Sequence, residues 1–356
     1  MPAYIGVNGK AKAIAKVYVG NSSGKAELIW GPRGPNRYSK NVTGLKTARY
    51  SLSGNEIDDY ALFAGGLTKA SSTSNAVDAY DKTLTRTTPT ALSVGRYGMA
   101  SAKNYNYAIF AGGEGYSNVV DAYNTSLTRS TPTVLSVGRK ASAACGNNGD
   151  IVVAGGNTSS GYSKVVDLYD HRLTRSNTTS LSEARSNLVA VCAGSFILFA
   201  GGYNGSKYVS TVDAFNIYSS KIDSVKSGLS EEKAGCAAVS LDDKYGIIAG
   251  GGNLSRSNTV DIYNDDLVKS IAATLTKAST NIVATTLRDE YALFCGFADS
   301  KYSIDAYDYN LTKVFVQFGV TRASIAAASV GDYSLFAGGT FNSVSQSTVD
   351  AFHIFE

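Results

Sequence analysis

The sequence predicts an all-β protein: a seven-bladed β-propeller with four-stranded blades, preceded by a small β-hairpin module. Two anchors recur in step along the chain, a glycine pair after an apolar run and an aspartate in the run that follows, as in Val-Asp-Ala-Tyr. A period in the forties with strand-like composition is typical of propeller blades rather than helical solenoids. The aspartates, 43 to 48 residues apart, are Asp78, Asp121, Asp167, Asp213, Asp261, Asp305 and Asp350.

The glycine pair keeps the same register and degenerates to Cys295-Gly296-Phe297 in the sixth repeat. The chain also has 36 Gly, 23 Tyr and only 5 Pro among its 356 residues, which suits many short strands joined by tight turns. The intact pairs are Gly65-Gly66, Gly112-Gly113, Gly155-Gly156, Gly201-Gly202, Gly250-Gly251 and Gly338-Gly339.

The first 30 residues lie outside the repeat. Asn8-Gly9 and Ser23-Gly24 are hairpin turn dipeptides between alternating segments, so this stretch is predicted to form a small β-hairpin module. A hairpin of this size is marginal in water, so we expect it to attach to a partner surface or to copies of itself. The candidate attachment side chains are Tyr4, Tyr18 and Trp30.

A Gly-Pro-rich segment, residues 31–35, separates this module from the repeats. We therefore predict two domains: residues 1–35 as hairpin attachment module and linker, and residues 36–356 as the propeller.

Each repeat divides into four strands, a to d. Strand a is rich in small residues, as in Ala326-Ala327-Ala328, because strands near a central axis are crowded. Strand b is continuously apolar, as in Phe196–Ala200, and is expected to be covered on both faces. Strand c carries the aspartate. Strand d, such as Leu127-Thr128-Arg129, is predicted to be the outer edge, where Arg86, Arg129 and Arg175 discourage edge-to-edge pairing.

The two ends of the chain predict how the ring closes. The last repeat supplies a strand c but no strand d, and residues 37–42 resemble the missing strand. We expect this N-terminal strand to complete the seventh blade, because that would remove an open edge.

The glycine pair after an apolar strand, the Tyr or Phe that ends strand c and a basic residue before strand a together resemble the Kelch repeat family of β-propellers over residues 37–356. This chain departs from the family in lacking the strand-d tryptophan. Separately, the opening YIGVNGKAK resembles N-terminal segments of minor structural and tail proteins of phages and prophages of Gram-positive bacteria.

Composition argues against several functions. A net charge of +4, evenly spread, does not indicate nucleic-acid binding. No segment approaches the ~18 apolar residues of a membrane span, and the N-terminus lacks a secretion signal, so we expect synthesis in the bacterial cytoplasm and no membrane insertion. The cysteines, Cys145, Cys192, Cys236 and Cys295, show no CxxC spacing and are expected to be buried, reduced thiols.

No catalytic residue, metal site or cofactor is predicted. The two histidines, His171 and His353, fall in different repeats, and no nucleophile elbow, phosphate-binding loop or clustered metal-ligand spacing occurs. Paired carboxylates could still meet in space, as glycoside hydrolysis requires, so a surface-glycan hydrolase or depolymerase remains an alternative.

Two sets of repeated charges need an interpretation. The strand-c aspartates recur at one position in every repeat, which indicates a framework role such as accepting hydrogen bonds from a neighbouring turn. The basic residues before strand a could either contact a ligand, as the Kelch resemblance implies, or pair with those aspartates. They are Arg49, Arg96, Arg139, Arg185, Lys233, Lys277 and Arg322.

In an antiparallel blade, the d-to-a links and the b-to-c loops emerge on the same face. The b-to-c loops are rich in Tyr, Ser, Asn and Gly, a composition suited to adaptable recognition. The candidate ligand-binding tyrosines in these loops are Tyr116, Tyr162, Tyr203 and Tyr208.

These patterns favour a non-enzymatic binding protein of a phage or prophage tail, located in the virion. Residues 1–35 would bind tail or baseplate proteins, and the propeller face would recognise a host-surface glycan or protein. Tail attachment commonly imposes oligomerisation, so a homotrimer is expected, which would add avidity. A purely structural decoration or assembly protein of the virion is a further alternative.

Overall fold

The chain is seen in a computed structural model. It describes the backbone of residues 4–7, 10–13, 17–20, 26–30 and 36–37, and then residues 42–69, 72–147, 149–216, 221–225, 227–298, 301–315 and 322–353. The regular elements of these ranges are β-strands, and they form seven four-stranded antiparallel sheets and four two-stranded ones. The four-stranded sheets are the blades of a β-propeller, which confirms the predicted fold class.

The blades share one order, with strand a innermost. The strands are given in the order a to d. Blade 1 contains Ser53–Ile57, Tyr60–Ala64, Val77–Asp81 and Arg86–Thr87, and blade 2 contains Ala100–Lys103, Tyr107–Ala111, Val120–Asn124 and Arg129–Ser130. Blade 3 contains Ala143–Gly146, Ile151–Ala154, Val166–Tyr169 and Arg175–Asn177, and blade 4 contains Val189–Ala193, Phe196–Ala200, Val212–Asn216 and Lys221–Ser224. Blade 5 contains Ala237–Leu241, Tyr245–Ala249, Val260–Tyr263 and Lys269–Ile271, and blade 6 contains Thr280–Leu287, Tyr291–Ala298, Lys301–Asp308 and Lys313–Phe315. Blade 7 contains Ala326–Val330, Tyr333–Ala337, Val349–His353 and Asn36–Arg37.

The core lies between neighbouring blades. Strand b is buried along nearly its whole length, as in Ile151–Ala154, because it is covered by the next blade on each side. The residue that ends strand c adds a polar tie: the Tyr169 hydroxyl donates to the carbonyl oxygen of Thr133 at 2.9 Å. Burial raises the pKa of Tyr169 above its ordinary value, which further favours the protonated phenol that donates this hydrogen bond.

Strand d starts later than the sequence predicts. The leucine assigned to it lies in the c-to-d turn instead, in the left-handed region, with φ of +62° at Leu84. The preceding Asp81 causes this, because its carboxylate accepts backbone hydrogen bonds from Thr83 at 2.8 Å and Thr85 at 3.0 Å and closes the turn. The same conformation occurs at Leu127, Leu173, Leu267 and Leu311.

In every blade but the sixth, a glycine pair connects the blade to the next one. Gly113 of blade 2 donates its N–H to the carbonyl oxygen of Arg139, which leads into blade 3, at 3.0 Å. Its φ is +119°, and an added Cβ would lie 2.8 Å from the carbonyl oxygen of Tyr97, so only glycine fits. The corresponding bond from Gly339 to Arg49, at 2.8 Å, joins blade 7 to blade 1.

The sixth blade, which lacks the glycine pair, differs as a result. Strand b continues through Cys295-Gly296-Phe297 to Ala298, and strand c begins already at Lys301. Because no left-handed glycine pair ends strand b here, the two strands form a longer hairpin than in the other blades.

The N-terminal region is described only in part. Tyr4–Val7 pairs with Lys10–Ala13, and Val17–Gly20 with Ala26–Trp30. Asn36 and Arg37 pair with His353 and Phe352 in the seventh sheet. Residues 38–41 lie outside the described residues, as do the side chains of Tyr4, Tyr18 and Trp30. The fastening of the ring by this strand and the boundary at residue 35 therefore stay predictions.

Candidate functional site

The b-to-c loops and the d-to-a links form one face of the propeller, called the loop face below. The link that enters blade 3 is held against the preceding blade's b-to-c loop, because Leu135 and Arg139 donate backbone hydrogen bonds to Asn118 and Ser117 at 2.9 and 3.0 Å. The a-to-b and c-to-d turns lie on the opposite side, called the turn face. The predicted site residues belong to the loop face, but the structure separates them into two groups.

The basic residues before strand a are buried under this face. The Arg139 guanidinium is fully buried and donates to the Asp167 carboxylate at 2.6 Å and to the carbonyl oxygen of Val153 at 3.0 Å. Burial lowers the pKa of Arg139, and the attraction of Asp167 partly offsets this. The other buried pairs are Arg49–Asp78, Arg96–Asp121, Arg185–Asp213, Lys233–Asp261 and Arg322–Asp350.

None of the six cations assigned to ligand binding is exposed on the loop face, because each is buried and paired with the aspartate of strand c. A long cationic side chain next to an inward-facing aspartate is directed into the blade, where the ion pair and strand carbonyls replace water. The alternative interpretation, a framework pair, describes Arg49, Arg96, Arg139, Arg185, Lys233 and Arg322. Lys277, the remaining member of the set, is half-buried.

The framework role of the strand-c aspartates is confirmed. Besides Arg139, the Asp167 carboxylate accepts the backbone N–H of Ser136 in the d-to-a link at 3.2 Å and the Arg175 guanidinium of strand d at 2.9 Å. One carboxylate therefore joins strand c, strand d and the link into the blade. Arg129 of strand d likewise donates to the Asp121 carboxylate at 3.1 Å. These strand-d arginines therefore pair with the strand-c aspartate of their own blade, in addition to their predicted role at the outer edge.

Three of the four predicted tyrosines meet on the loop face. The Tyr162 and Tyr203 ring centroids are 5.7 Å apart and edge to face, and those of Tyr203 and Tyr208 are 5.2 Å apart. Tyr162 belongs to the loop of blade 3, where Asn157–Thr158 pairs with Gly161–Tyr162, and the other two belong to the loop of blade 4. Tyr162, Tyr203 and Tyr208 are called the tyrosine cluster below.

One loop residue lets the cluster form. An added Cβ at Gly205 would lie 2.8 Å from the Tyr162 ring, and φ there is +100°, so a side chain would separate the two loops. The Tyr203 hydroxyl donates to the Gly205 carbonyl oxygen at 3.1 Å. Tyr162 keeps 38% of its surface exposed, which leaves part of its ring open to solvent.

Polar and charged groups surround the tyrosine cluster. Asn204 donates to the Glu183 carboxylate at 3.0 Å, and Lys207 pairs with Glu232 at 3.4 Å. Burial alone would raise the pKa of Glu183, but hydrogen bonds from Asn204 and Thr211 lower it overall. The surface thus combines aromatic rings with ionised carboxylates and a cation, which can receive hydrogen bonds and apolar contacts together.

Tyr116 forms a separate group on the same face. The Lys140 ammonium lies 5.3 Å from the Tyr116 ring centroid and 2.9 Å from the Glu114 carboxylate. Tyr116 is 40% exposed. The four predicted tyrosines are all at least partly exposed, but they make two groups rather than one ring of contacts.

Sequence reasoning missed a cavity of about 740 Å³ around the propeller axis. Strand a of each blade and the a-to-b turns line it, so it opens toward the turn face. Glu56 and Lys103 form an ion pair in its wall, and Ser329 donates to Glu56. The available signal was the presence of charged residues and thiols, among them Cys145 and Cys192, in strands otherwise made of small residues.

The fold defines a class: the chain is a seven-bladed β-propeller, and its loop face carries a partly exposed tyrosine cluster. No family model and no curated protein matches the chain. It is similar to the solved structure of YjhT, with a TM-score of 0.57 and 15% sequence identity over 86% of this chain and 99% of that one. At this identity the similarity shows the fold alone. The Kelch and phage-tail resemblances stay predictions.

Among the described residues, no helix has the length and apolar character needed to cross a membrane.

Proposed function

We propose that this protein is a non-enzymatic, virion-associated binding protein of a phage or prophage tail, and that its loop face recognises a host-surface glycan. The observation that carries the proposal is the tyrosine cluster, which is built from the loops of two adjacent blades and remains partly exposed. The loop of blade 3 supplies one of these rings and the loop of blade 4 supplies the other two.

The chemistry of the cluster suits a saccharide. Tyr rings provide rigid apolar area at low entropic cost, and their hydroxyls add hydrogen bonds at the edge. Sugar rings present C–H groups on their faces and hydroxyls around their rims. Tyr162 and Tyr203 can cover the former, while Glu183, Asn204 and Lys207 are placed for the latter.

The N-terminal module supplies the second half of the proposal. Its resemblance to phage tail proteins supports attachment of residues 1–35 to tail or baseplate proteins, with Tyr4, Tyr18 and Trp30 as candidate contacts. Attachment as a homotrimer would present three loop faces and convert weak single-site binding into useful avidity. Light scattering on the full chain tests this, and a single-chain mass would contradict it.

Binding of the fluorescently labelled full chain to purified cell-wall polysaccharides of Gram-positive bacteria tests recognition. Replacement of a cluster residue, as in Tyr162→Ala or Tyr208→Ala, should weaken binding about two- to tenfold, from the ~0.5–1.5 kcal/mol of one aromatic contact. Tyr105→Ala is the matched control, because Tyr105 is 67% exposed on the turn face. Equal binding by cluster and control variants would contradict the assignment.

The same experiment separates the two alternatives. Release of new reducing ends from the polysaccharide would indicate a hydrolase or depolymerase. Its general acid would require a carboxyl with a raised pKa, whereas hydrogen bonds offset burial and lower the pKa values of Glu183 and Glu231 on the loop face. Binding only to other virion proteins would indicate a structural decoration or assembly role.

A further inference from the structure

Two cysteines meet in the wall of the axial cavity. Cys145 lies in strand a of blade 3 and Cys192 in strand a of blade 4, and their sulfur atoms are 2.8 Å apart. Both side chains line the cavity, and both thiols are free. The cysteines are therefore neither isolated nor equivalent to the other two, Cys236 and Cys295, in blades 5 and 6.

We propose that Cys145 and Cys192 are a modification site at which a hydroperoxide closes a reversible disulfide between blades 3 and 4. A disulfide has an S–S distance of about 2.05 Å, so closure from 2.8 Å requires a shift of only about 0.8 Å. The two strands a are adjacent in the ring, so the backbone already holds the thiols side by side.

Hydrogen bonds fix this arrangement. The Cys192 thiol donates a hydrogen bond to the carbonyl oxygen of Gly146 at 3.3 Å, and the Cys192 N–H donates to the Ser240 hydroxyl at 3.0 Å. The hydrogen bond with Cys145, followed by burial, raises the pKa of Cys192 well above its ordinary value. Cys192 therefore stays protonated at neutral pH, and Cys145, the less buried of the two, is the sulfur that reacts first.

A small oxidant can reach the pair through the cavity. The cavity wall includes exposed turn residues, Tyr105 and Asp243, so the space continues to solvent on the turn face. A volume of about 740 Å³ is far larger than a peroxide molecule needs.

The reaction balances with one peroxide. The Cys145 thiolate attacks one oxygen of hydrogen peroxide, the O–O bond breaks, and a sulfenic acid and, after protonation, one water form. The Cys192 sulfur then attacks the Cys145 sulfur, the S–O bond breaks, and hydroxide leaves with the Cys192 proton as a second water. Two thiols are oxidised by two electrons, and the peroxide is reduced to two water molecules.

The disulfide would add a covalent link near the propeller axis and would leave the loop face chemically unmodified. It would connect blades 3 and 4, whose loops carry the tyrosine cluster on the other side of the propeller. The inference does not depend on the proposed function, because it rests on the thiols and the cavity alone.

Thiol titration and peptide mapping of the folded full chain test the inference. Hydrogen peroxide should reduce the number of thiols titrated after denaturation from four to two, and a non-reducing digest should contain a Cys145–Cys192 cross-linked peptide. Dithiothreitol should restore all four thiols. Cys145→Ser and Cys192→Ser should each abolish the cross-linked peptide.

Cys236→Ser is the matched control. Burial raises the pKa of Cys236 to about 11, so it should not compete, and its replacement should leave the Cys145–Cys192 peptide unchanged. Absence of that peptide from oxidised folded protein would overturn the inference. So would a cross-link that appears only when the chain is denatured before oxidation.

Discussion

Removal of one strand-c carboxylate charge should destabilise a whole blade. In Asp167→Asn, the shape is kept but Arg139, fully buried, and Arg175, three-quarters buried, lose their shared counter-ion. Breaking a buried ion pair by removing one partner costs about 3–5 kcal/mol, because the remaining charge is left unpaired away from water. We therefore expect Asp167→Asn to lower the free energy of unfolding by about that amount.

Guanidinium chloride unfolding followed by tyrosine fluorescence and circular dichroism measures this loss. The control is Asp59→Asn, which removes the partner of Lys82 from an ion pair whose side chains are both about half exposed, and it should change the midpoint little. Arg139→Met should destabilise the protein as Asp167→Asn does while leaving glycan binding per folded molecule unchanged. Wild-type stability of both variants, with loss of binding in Arg139→Met, would refute the framework assignment.

Three further predictions concern the glycine pair, a rim carboxylate and the ring closure. Gly113→Ala should cost at least about 1–2 kcal/mol, because φ is +119° and the new Cβ would meet a carbonyl oxygen, whereas Gly149→Ala, which meets open space, should be neutral by thermal unfolding. The pKa of Glu183 is lowered in the folded state, so the wild type should have a higher free energy of unfolding than Glu183→Gln at pH values above the ordinary pKa of 4.5. This difference should vanish as the pH falls through the folded-state pKa, and a difference that does not change with pH would contradict the assignment. Deletion of residues 1–35 should leave the Tm of the propeller unchanged, and further deletion of residues 36–41 should lower it by exposing the edge of strand c in blade 7; equal Tm values for both truncations would argue against closure by this strand.

The sequence alone was sufficient for the architecture. Blade number, strand order and the burial of strand b follow from a repeat of glycine pairs and aspartates. Each repeat packs against neighbours with a similar sequence, so each adopts a similar structure. The conformation of the c-to-d turns was predicted less well. The position of Leu84 and its counterparts could not be predicted from alternation, because the carboxylate of Asp81 imposes a left-handed turn where a strand was expected.

The candidate site was only partly predictable. The composition of the b-to-c loops identified Tyr162, Tyr203 and Tyr208 as candidate ligand-binding residues. Their contact depends on how two blades are placed side by side, with Gly205 next to the Tyr162 ring. The thiol pair has the same origin, since Cys145 and Cys192 are separated by a whole repeat in the chain and become neighbours only around the axis.

The basic residues before strand a show which features the sequence predicts and which depend on the folded structure. Sequence spacing placed Arg139 correctly next to the loop face and offered both a ligand contact and a pairing with Asp167. It could not decide between them, because the direction of a long side chain depends on the carboxylate and carbonyl oxygens that the folded blade brings within reach. The repeat thus determined the ring, while the three-dimensional packing decided which of its residues face inward to hold the blades and which remain exposed on the surface.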